Sequence, residues 1–150
     1  MKVFRITAKK YAGDLTGAGA AAYGGRWNKK GTAVLYTGEN KEIALLETIV
    51  HTPPMLIPKF DILILEIPDD SITEITIDKL PKNWKSYPAP TILSEMGNRW
   101  ILDGATVALK VPSCIIHSAH NYILNCKHPD YAKVKLIERS EFEFDSRLKK

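Results

Sequence analysis

The stretch Lys41–His51, KEIALLETIVH, predicts an amphipathic α-helix between strand-forming segments. Asn40 is a preferred N-cap residue, and Pro53-Pro54 predicts the end of the helix. A second helix is predicted over residues 91–103. Strands are predicted over residues 2–7, 32–37, 60–67, 72–77, 105–111, 134–137 and 142–144. Many short strands with two long helices favour an α+β domain with a strongly bent sheet over a doubly wound parallel one.

The composition is that of one globular domain with a real core. The chain has 150 residues, of which 45% are hydrophobic and 25% are charged. Its apolar runs fall well short of the ~20 residues that span a bilayer, and its N-terminus lacks the apolar core of a secretory signal. Two cysteines, Cys114 and Cys126, are too few for a disulfide framework. We therefore expect a cytoplasmic protein with reduced thiols and no membrane association.

The net charge of +4 at pH 7 and the pI near 9.0 favour anionic partners. Such a partner is a phosphate-bearing small molecule, a nucleic acid or an acidic protein. The basic residues are spread along the chain, with adjacent lysines at residues 9–10, 29–30 and 149–150. No basic stripe with interleaved aromatic residues is present, so nucleic-acid binding is the least favoured of the three.

Glu47 is the most informative residue of the predicted helix. Ile43, Leu46 and Val50 recur at the spacing of one helical face, and Glu47 falls on the same stripe. A carboxylate on an inward face must be paired, must shift its pKa, or must line a cleft. Basic residues lie just upstream in the sequence, so we expect a site for an anionic substrate.

Two arginines are candidates for binding that substrate. Arg5 is centred in the first predicted strand, and either it points to solvent or its guanidinium projects into a cleft and binds phosphate. Arg26 belongs to the Gly-Gly turn at residues 24–28, GGRWN, in which Trp27 offers a flat surface and Asn28 offers turn hydrogen bonds. The alternative is a turn whose arginine stacks on its own tryptophan. The turn matches neither the Walker loop nor the GxGxxG fingerprint.

Other polar residues carry weaker signals. Tyr36 ends a strand eleven residues before Glu47 and is either a core tyrosine or an aromatic platform for a planar ring. Ser113 lacks the G-x-S-x-G elbow of a hydrolase nucleophile, and is a turn residue or a supporting ligand for phosphate or ribose. Asn121 and Asn125 are predicted to order a loop. The four histidines do not fall at metal-ligand spacing, so no metal site is expected.

Eight short segments, taken in order, resemble the RES-domain family, the toxin component of RES–Xre toxin–antitoxin modules. The segments are residues 4–6 (FRI), 24–28 (GGRWN), 34–37 (VLYT), 44–47 (ALLE), 97–101 (GNRWI), 111–113 (VPS), 121–125 with 128–131 (NYILN, HPDY) and 144–148 (FDSRL). They span nearly the whole chain, and their order and spacing are family-like. Cys126 is a departure, because the family usually has proline there.

The resemblance implies that residues 1–150 form a single RES domain. Its fold would be similar to that of ADP-ribosyltransferases of the diphtheria-toxin type, with a split, bent antiparallel or mixed sheet and flanking helices. It implies that NAD is the substrate, with no other cofactor, and that the bond to nicotinamide is broken. Water or phosphate would take the ADP-ribose in some members, and a protein side chain in others. NAD depletion would arrest growth.

The motif positions carry over as Arg5, Arg26, Tyr36, Glu47 and Ser113. Arg5 and Arg26 would hold the pyrophosphate, or Arg26 would hold an incoming phosphate. Tyr36 would stack on nicotinamide, and Ser113 would position ribose or phosphate. Glu47 would stabilise the positive charge that develops at the anomeric carbon. Trp27 and Asn28 are predicted to line the substrate site beside Arg26. We expect the carboxylate to face a pocket and both guanidiniums to lie on the same side of the domain.

Three functions remain open from the sequence. The first is an NAD-degrading toxin, the second an ADP-ribosyltransferase that modifies a host protein, and the third a basic nucleic-acid-binding module. The resemblance also implies a cognate Xre-type antitoxin, through which alone the toxin would meet nucleic acid. A homodimer or a larger toxin–antitoxin assembly is compatible with the sequence, which specifies no stoichiometry.

Overall fold

The computed structural model describes residues 1–53 and 59–148, so Pro54 and the lysine pair at 149–150 lie outside the described residues. The chain forms, in order, β1 (Lys2–Ala8), α1 (Ala18–Tyr23), β2 (Val34–Gly38), α2 (Lys41–His51), β3 (Phe60–Glu66), β4 (Ile72–Glu74), α3 (Thr91–Asp103), β5 (Ala108–Pro112), β6 (His120–Asn125) and β7 (Lys135–Phe142). Short 3-10 turns lie at Lys9–Tyr11, Ile77–Lys79, Pro129–Lys133 and Ser146–Leu148.

The strands form one seven-stranded mixed sheet in the order β4-β5-β6-β2-β1-β3-β7. β4 and β5 run parallel, and the other five neighbouring pairs are antiparallel. Helices and strands are not arranged as a repeated βαβ unit, which would have produced a parallel sheet. The predicted α+β class is confirmed.

The sheet is split between β1 and β2. These two strands share one register pair, Phe4 with Gly38, whereas β1 pairs with β3 at seven positions and β2 pairs with β6 at five. Beyond that pair the two halves of the sheet separate. The carbonyl of Tyr36 in β2 accepts a hydrogen bond from Arg5 Nη1 of β1 at 2.9 Å, so a side chain joins the two halves of the sheet.

The two faces of the sheet carry different cores. One face buries a cluster of Val3, Leu35, Leu65, Ile67, Val107, Ala108, Tyr122 and Leu124. On the other face, α3 packs through Leu93 and Trp100 on Leu109 and Ile123, and α2 packs through Ala44. Because side chains alternate along a strand, Phe4, Tyr36, Gly38 and Asn121 share the face that carries α2 and α3.

Three strand predictions differ from the structure. Asn121 and Asn125, predicted to order a loop, both lie in the central strand β6. Its apolar run Tyr122-Ile123-Leu124 is buried on both faces, so the polar–apolar alternation typical of a half-exposed strand is missing. Residues 72–77 form a strand only as far as Glu74. Near the C-terminus, where strands 134–137 and 142–144 are predicted, one continuous edge strand, β7, ends at Phe142, so residues 143–144 lie outside it; seven of its eight residues are exposed.

Candidate active site

The carboxylate of Glu47 lies where α2 meets the sheet, with 24% of its side chain exposed. Its Oε1 accepts hydrogen bonds from Ser113 Oγ at 3.2 Å and from Asn121 Nδ2 at 2.8 Å. Its Oε2 accepts no hydrogen bond from the described residues, and lies 3.9 Å from Nε2 of His51. One oxygen is therefore held by two donors, and the other is available to solvent or a ligand.

The buried face of α2 follows the predicted stripe only in part, since Ile43 is buried as predicted. Ala44 is buried, and Thr48 Oγ1 donates to the carbonyl of Ile6 in β1 at 2.9 Å. Val50, predicted to point inward, is 59% exposed. Glu47 lies one turn from Ala44 at the edge of this face, so its carboxylate reaches the sheet through one oxygen while the side chain stays 24% exposed.

Ser113 follows β5 directly and has no exposed surface. Its Oγ accepts hydrogen bonds from the backbone N–H groups of Ile115 and Ile116 at 3.1 and 3.3 Å. Because these donors occupy the oxygen's lone pairs, the hydroxyl proton is directed to Glu47. The structure thus brings the predicted serine to the predicted carboxylate, but as a group that orients Glu47 and is covered from ribose or phosphate.

Asn121 is the site residue that sequence reasoning missed. It lies in β6 opposite Gly38 and Val111, and its side-chain amide points at Glu47. The loop role predicted for the two asparagines holds for Asn125, whose Oδ1 accepts from Lys127 N at 3.1 Å. The missed signal is the apolar run Tyr122-Ile123-Leu124, which is typical of a buried strand. If that run is a strand, alternation of side chains determines the face on which Asn121 lies.

The hydroxyl of Tyr36 is fully engaged inside the protein. It accepts from the backbone N–H of Trp27 at 3.0 Å and donates to Asn28 Oδ1 at 2.7 Å. Burial raises the pKa of this phenol to about 12, although hydrogen bonding with the backbone of Trp27 and Asn28 and the charge of Arg26 oppose the rise. A phenol that stays neutral and has both hydrogen-bonding roles filled is unsuited to acid–base work. What Tyr36 can offer a ligand is its ring.

Trp27 and Asn28 were predicted to line the substrate site, and the structure buries both. Trp27 is 3% exposed and belongs to the core under α3. Asn28 is 2% exposed, and its Nδ2 donates to the carbonyls of Ala20, Lys29 and Thr32. Neither side chain presents a surface to a ligand. Their observed role is to fix the turn at residues 24–28 and to anchor the Tyr36 hydroxyl.

Close packing holds the turn in this position. A Cβ added at Gly97 of α3 would overlap the carbonyl oxygen of Trp27, and one at Gly25 would come within 2.7 Å of the Tyr36 hydroxyl. Gly24 has a φ of 71°, in the left-handed region that favours glycine. These glycines let α3, the turn and β2 approach one another closely.

Arg26 leaves the turn toward the loop that precedes α3. Its Nη1 donates to the carbonyl of Trp84 at 2.7 Å and its Nη2 donates to the carbonyl of Ser86 at 3.1 Å. A guanidinium has five N–H donors, so these two bonds leave donors for an anion. Arg26 and Glu47 both act electrostatically on the thiol of Cys114, whose pKa is raised chiefly by burial. The guanidinium and the carboxylate therefore both lie within electrostatic range of this thiol.

Arg5 is not brought to this cluster. It shares the face of β1 that carries Val3, and its electrostatic neighbours are Cys126, Tyr131 and Asp14. Burial lowers the pKa of this guanidinium. Its hydrogen bond to the Tyr36 carbonyl bridges the split in the sheet. The expectation that both guanidiniums lie on the same side as Glu47 is wrong for Arg5.

Tyr36 and Asn121 lie on the same face of neighbouring strands, one diagonal step apart. Such neighbours are about 7–8 Å apart, within reach of an aromatic side chain. This side of the sheet thus carries a fixed carboxylate with one available oxygen, an aromatic ring and a partly satisfied guanidinium. That combination suits an anionic molecule with a planar, leaving ring and a centre that becomes positive.

The described part of the chain offers neither a metal site nor a membrane span. Residues 1–53 and 59–148 contain no group of three or more His, Cys, Asp or Glu side chains that could hold a metal ion. No helix within these ranges is long and apolar enough to cross a membrane.

Comparison with known proteins gives consistent matches. The model of the RES domain matches residues 2–145. The chain is 35% identical over 152 residues to "Toxin Res" of Yersinia enterocolitica, covering 99% of this chain and 100% of the relative. It is 33% identical over 141 residues to the "Prs ADP-ribosylating toxin" of Sphingobium sp., covering 91% and 88%.

One solved structure is similar in fold. The crystal structure of the M. tuberculosis MbcT–MbcA toxin–antitoxin complex contains a chain that matches with a TM-score of 0.77. The match covers 94% of this chain and 83% of that one, at 15% sequence identity.

Proposed function

The chain belongs to the RES domain family, whose model spans residues 2–145, and we propose that it is the toxin of a toxin–antitoxin pair that consumes NAD. The name of its Yersinia relative, a toxin 35% identical along the full chain, supports the first part. The observation that carries the second part is the state of Glu47. Ser113 and Asn121 hold one carboxylate oxygen, while the other accepts no hydrogen bond from the described residues; Tyr36 lies on the same face of the sheet as Asn121, and Arg26 and Glu47 both act on the Cys114 thiol.

The bond to be broken joins nicotinamide to the anomeric carbon of ribose. The bonding electrons leave with the pyridinium ring, which departs as neutral nicotinamide, and the ribose carbon becomes oxocarbenium-like. Oε2 of Glu47 accepts a hydrogen bond from a ribose hydroxyl and stabilises the developing positive charge electrostatically. Attack by water then gives ADP-ribose and a proton, and attack by phosphate gives ADP-ribose 1″-phosphate.

Other residues position the substrate in this proposal. The ring of Tyr36 stacks on nicotinamide. Hydrogen bonds of its hydroxyl with Trp27 and Asn28 hold the ring in one orientation. The remaining donors of Arg26 bind the pyrophosphate or an incoming phosphate. Ser113 and Asn121 act through Glu47. Trp27 and Asn28 act through Tyr36, and Arg5 acts through the backbone of β2.

A second candidate function is ADP-ribosyl transfer to a host protein. The Sphingobium relative is named for ADP-ribosylation and matches 91% of this chain. The same carboxylate and the same bond cleavage serve both reactions, and they differ in what attacks the ribose carbon. The described residues around Glu47 define no acceptor site.

The proposal includes an antitoxin partner of the Xre type and action in the cytoplasm on the cell's own NAD. The structural neighbour from M. tuberculosis is a toxin–antitoxin complex, and its fold is shared by this chain. Co-expression with the protein encoded beside it should restore growth that the toxin alone arrests.

The experiment that tests the proposal is incubation of the pure protein with NAD, with and without inorganic phosphate, and following nicotinamide release. Rapid release in buffer alone supports hydrolysis, and release that requires phosphate supports phosphorolysis. Slow release that accelerates with a cell extract, together with label from NAD on a protein band, supports the transferase. No release under any condition, together with salt-dependent binding of nucleic acid, would leave the binding module as the better description.

A further inference from the structure

The two residues that donate to Glu47 Oε1 come from different kinds of structural element. Ser113 belongs to the turn after β5, whereas Asn121 is part of β6, where it faces Gly38 of β2 and Val111 of β5. A residue between two paired strands can move little. The amide of Asn121 is therefore fixed by the sheet, and it fixes in turn a carboxylate that comes from a helix.

The orientation of the amide is determined by its partner. Glu47 as a carboxylate can only accept, so the group that meets Oε1 at 2.8 Å must be the NH₂ of Asn121. A hydrogen bond to an ionised acceptor is stronger than one between neutral groups. It holds the Glu47 side chain in place through Oε1 and leaves Oε2 without a hydrogen-bond donor among the described residues.

We infer that Asn121 is a positioning residue for the reaction: its amide holds Oε1 of Glu47 so that Oε2 faces the ribose. This inference rests on the proposed function. It assigns the two oxygens of Glu47 separate roles, with Oε1 as the anchored atom and Oε2 as the atom that meets substrate.

Asn121→Ala and Asn121→Asp test the inference, with nicotinamide release measured between pH 5 and pH 8. Removing a donor to a charged group should lower kcat of Asn121→Ala on the order of 10- to 100-fold, with a smaller change in KM. At neutral pH, Asn121→Asp should be at least as impaired, because it places a second carboxylate against Glu47.

The pH profile separates positioning from a merely structural role. Two carboxyl groups in contact share one proton as the pH falls, and the carboxyl group introduced by Asn121→Asp, once protonated, would again donate to Oε1. The ratio of Asn121→Asp to wild-type activity should therefore rise by about 10-fold toward pH 5, while the ratio for Asn121→Ala stays flat. His51, Cys114 and Arg26 are the same in every variant, so dividing by the wild-type activity cancels their common effect on the pH profile. A flat ratio for Asn121→Asp, or Asn121→Ala activity within two-fold of wild type, overturns the inference.

Two controls keep the result interpretable. Asn83→Asp makes the same chemical change at an exposed loop position, so its activity ratio should stay near one at every pH. Thermal unfolding of each variant shows whether lost activity reflects lost structure. Wild-type protein that releases no nicotinamide would overturn the proposed function, which is a different outcome from an active wild type with an unaffected Asn121→Ala.

A readout without substrate tests the contact itself. In the ¹⁵N–¹H spectrum of the protein alone, the side-chain amide of Asn121, assigned by its loss in Asn121→Asp, should shift in Glu47→Gln and stay unchanged in Glu42→Gln. Glu42 is an exposed residue of the same helix. An Asn121 amide that does not respond to Glu47→Gln overturns the inference whether or not the protein cleaves NAD.

Discussion

The hydroxyl of Tyr36 lies 2.7 Å from Oδ1 of Asn28, which is itself anchored through Nδ2 to three backbone carbonyls. This contact joins β2 to the turn at residues 24–28. The ring of Tyr36 and the guanidinium of Arg26 thereby belong to one rigid unit. A site built this way can hold an aromatic group and an anion at a set separation.

Tyr36→Phe and Tyr36→Ala should separate the roles of the hydroxyl and the ring. The phenylalanine variant keeps the ring but leaves the Trp27 N–H and Asn28 Oδ1 without their partner, so it should lose about 1–3 kcal/mol of unfolding free energy. Its kcat should stay within a few-fold of wild type at a temperature where it is folded. Tyr36→Ala should lose nicotinamide release almost completely. Denaturant unfolding and NAD turnover measure the two effects, and equal kcat losses would contradict a platform role.

Stability at alkaline pH should depend on the same phenol. The folded pKa of Tyr36 is raised to about 12, above the value of about 10 for a tyrosine in an unfolded chain. Its contribution to stability is complete below pH 10 and is lost as the pH rises toward 12, because only the unfolded chain releases the proton there. The stability difference between wild type and Tyr36→Phe should therefore shrink between pH 10 and pH 12. A difference that is constant across this range would contradict the raised pKa.

Glu47→Gln should lower kcat by about 100-fold or more, with little change in KM, since the lost charge acts mainly in the transition state. Glutamine keeps the size of the side chain and can still accept from Asn121 and Ser113. Glu42→Gln, on the exposed side of α2, is the matched control and should turn over NAD at the wild-type rate. Single-turnover nicotinamide release checks both variants, and an unchanged rate in Glu47→Gln would remove the carboxylate from the mechanism.

Variants of Arg26 and Arg5 should differ in how their activity on NAD compares with their activity on a substrate that lacks the pyrophosphate. Nicotinamide riboside shares the bond to be cleaved but has no phosphate. Arg26→Lys should lower kcat/KM for NAD by roughly 10-fold or more and affect the riboside little, because a bidentate phosphate contact is lost. Arg5→Lys should lower both by the same factor, because Arg5 bonds the carbonyl of Tyr36. A loss for NAD alone would show that Arg5 holds pyrophosphate, as the sequence predicts.

Gly97→Ala should destabilise the protein, because the new Cβ would overlap the backbone carbonyl of Trp27. Forcing α3 away from the turn should lower the unfolding free energy by about 1–3 kcal/mol or more. Gly19→Ala is the matched control on α1, where an added Cβ meets nothing within 4 Å. That change should raise stability by about 0.5–1 kcal/mol, since alanine restricts the unfolded chain. Chemical denaturation compares the two, and similar values would contradict the close packing of Gly97.

The helix that carries Glu47 was predictable, because Asn40 caps it and its side chain does accept from Ile43 N at 2.8 Å. The exact inward face was not. Val50 fits the apolar stripe by spacing, yet it is exposed. Ala44 and Thr48, which lie beside that stripe, make the contacts with β1 instead. The helical spacing of apolar residues shows which residues can share a face, and tertiary contacts decide which of them are buried.

The roles within the turn at residues 24–28 also needed the structure. Its glycines, arginine, tryptophan and asparagine marked it as distinctive, and Arg26 is the charged residue among them, with donors left that can meet a ligand. Trp27 and Asn28 serve the core. A sequence shows that polar and aromatic groups are adjacent, but burial depends on α3, which comes much later in the chain.

By itself, the sequence determined the α+β class, the family resemblance, and the carboxylate, tyrosine and arginine of the cleft, because strand patterns, caps and spaced motifs are local properties. Only the tertiary structure decided that Asn121 meets Glu47 and that Arg5 lies across the sheet from it. Asn121 and Glu47 are 74 positions apart, and no local pattern records such a contact. The face on which Arg5 lies follows from which strands pair, and the pairing is settled by the whole core.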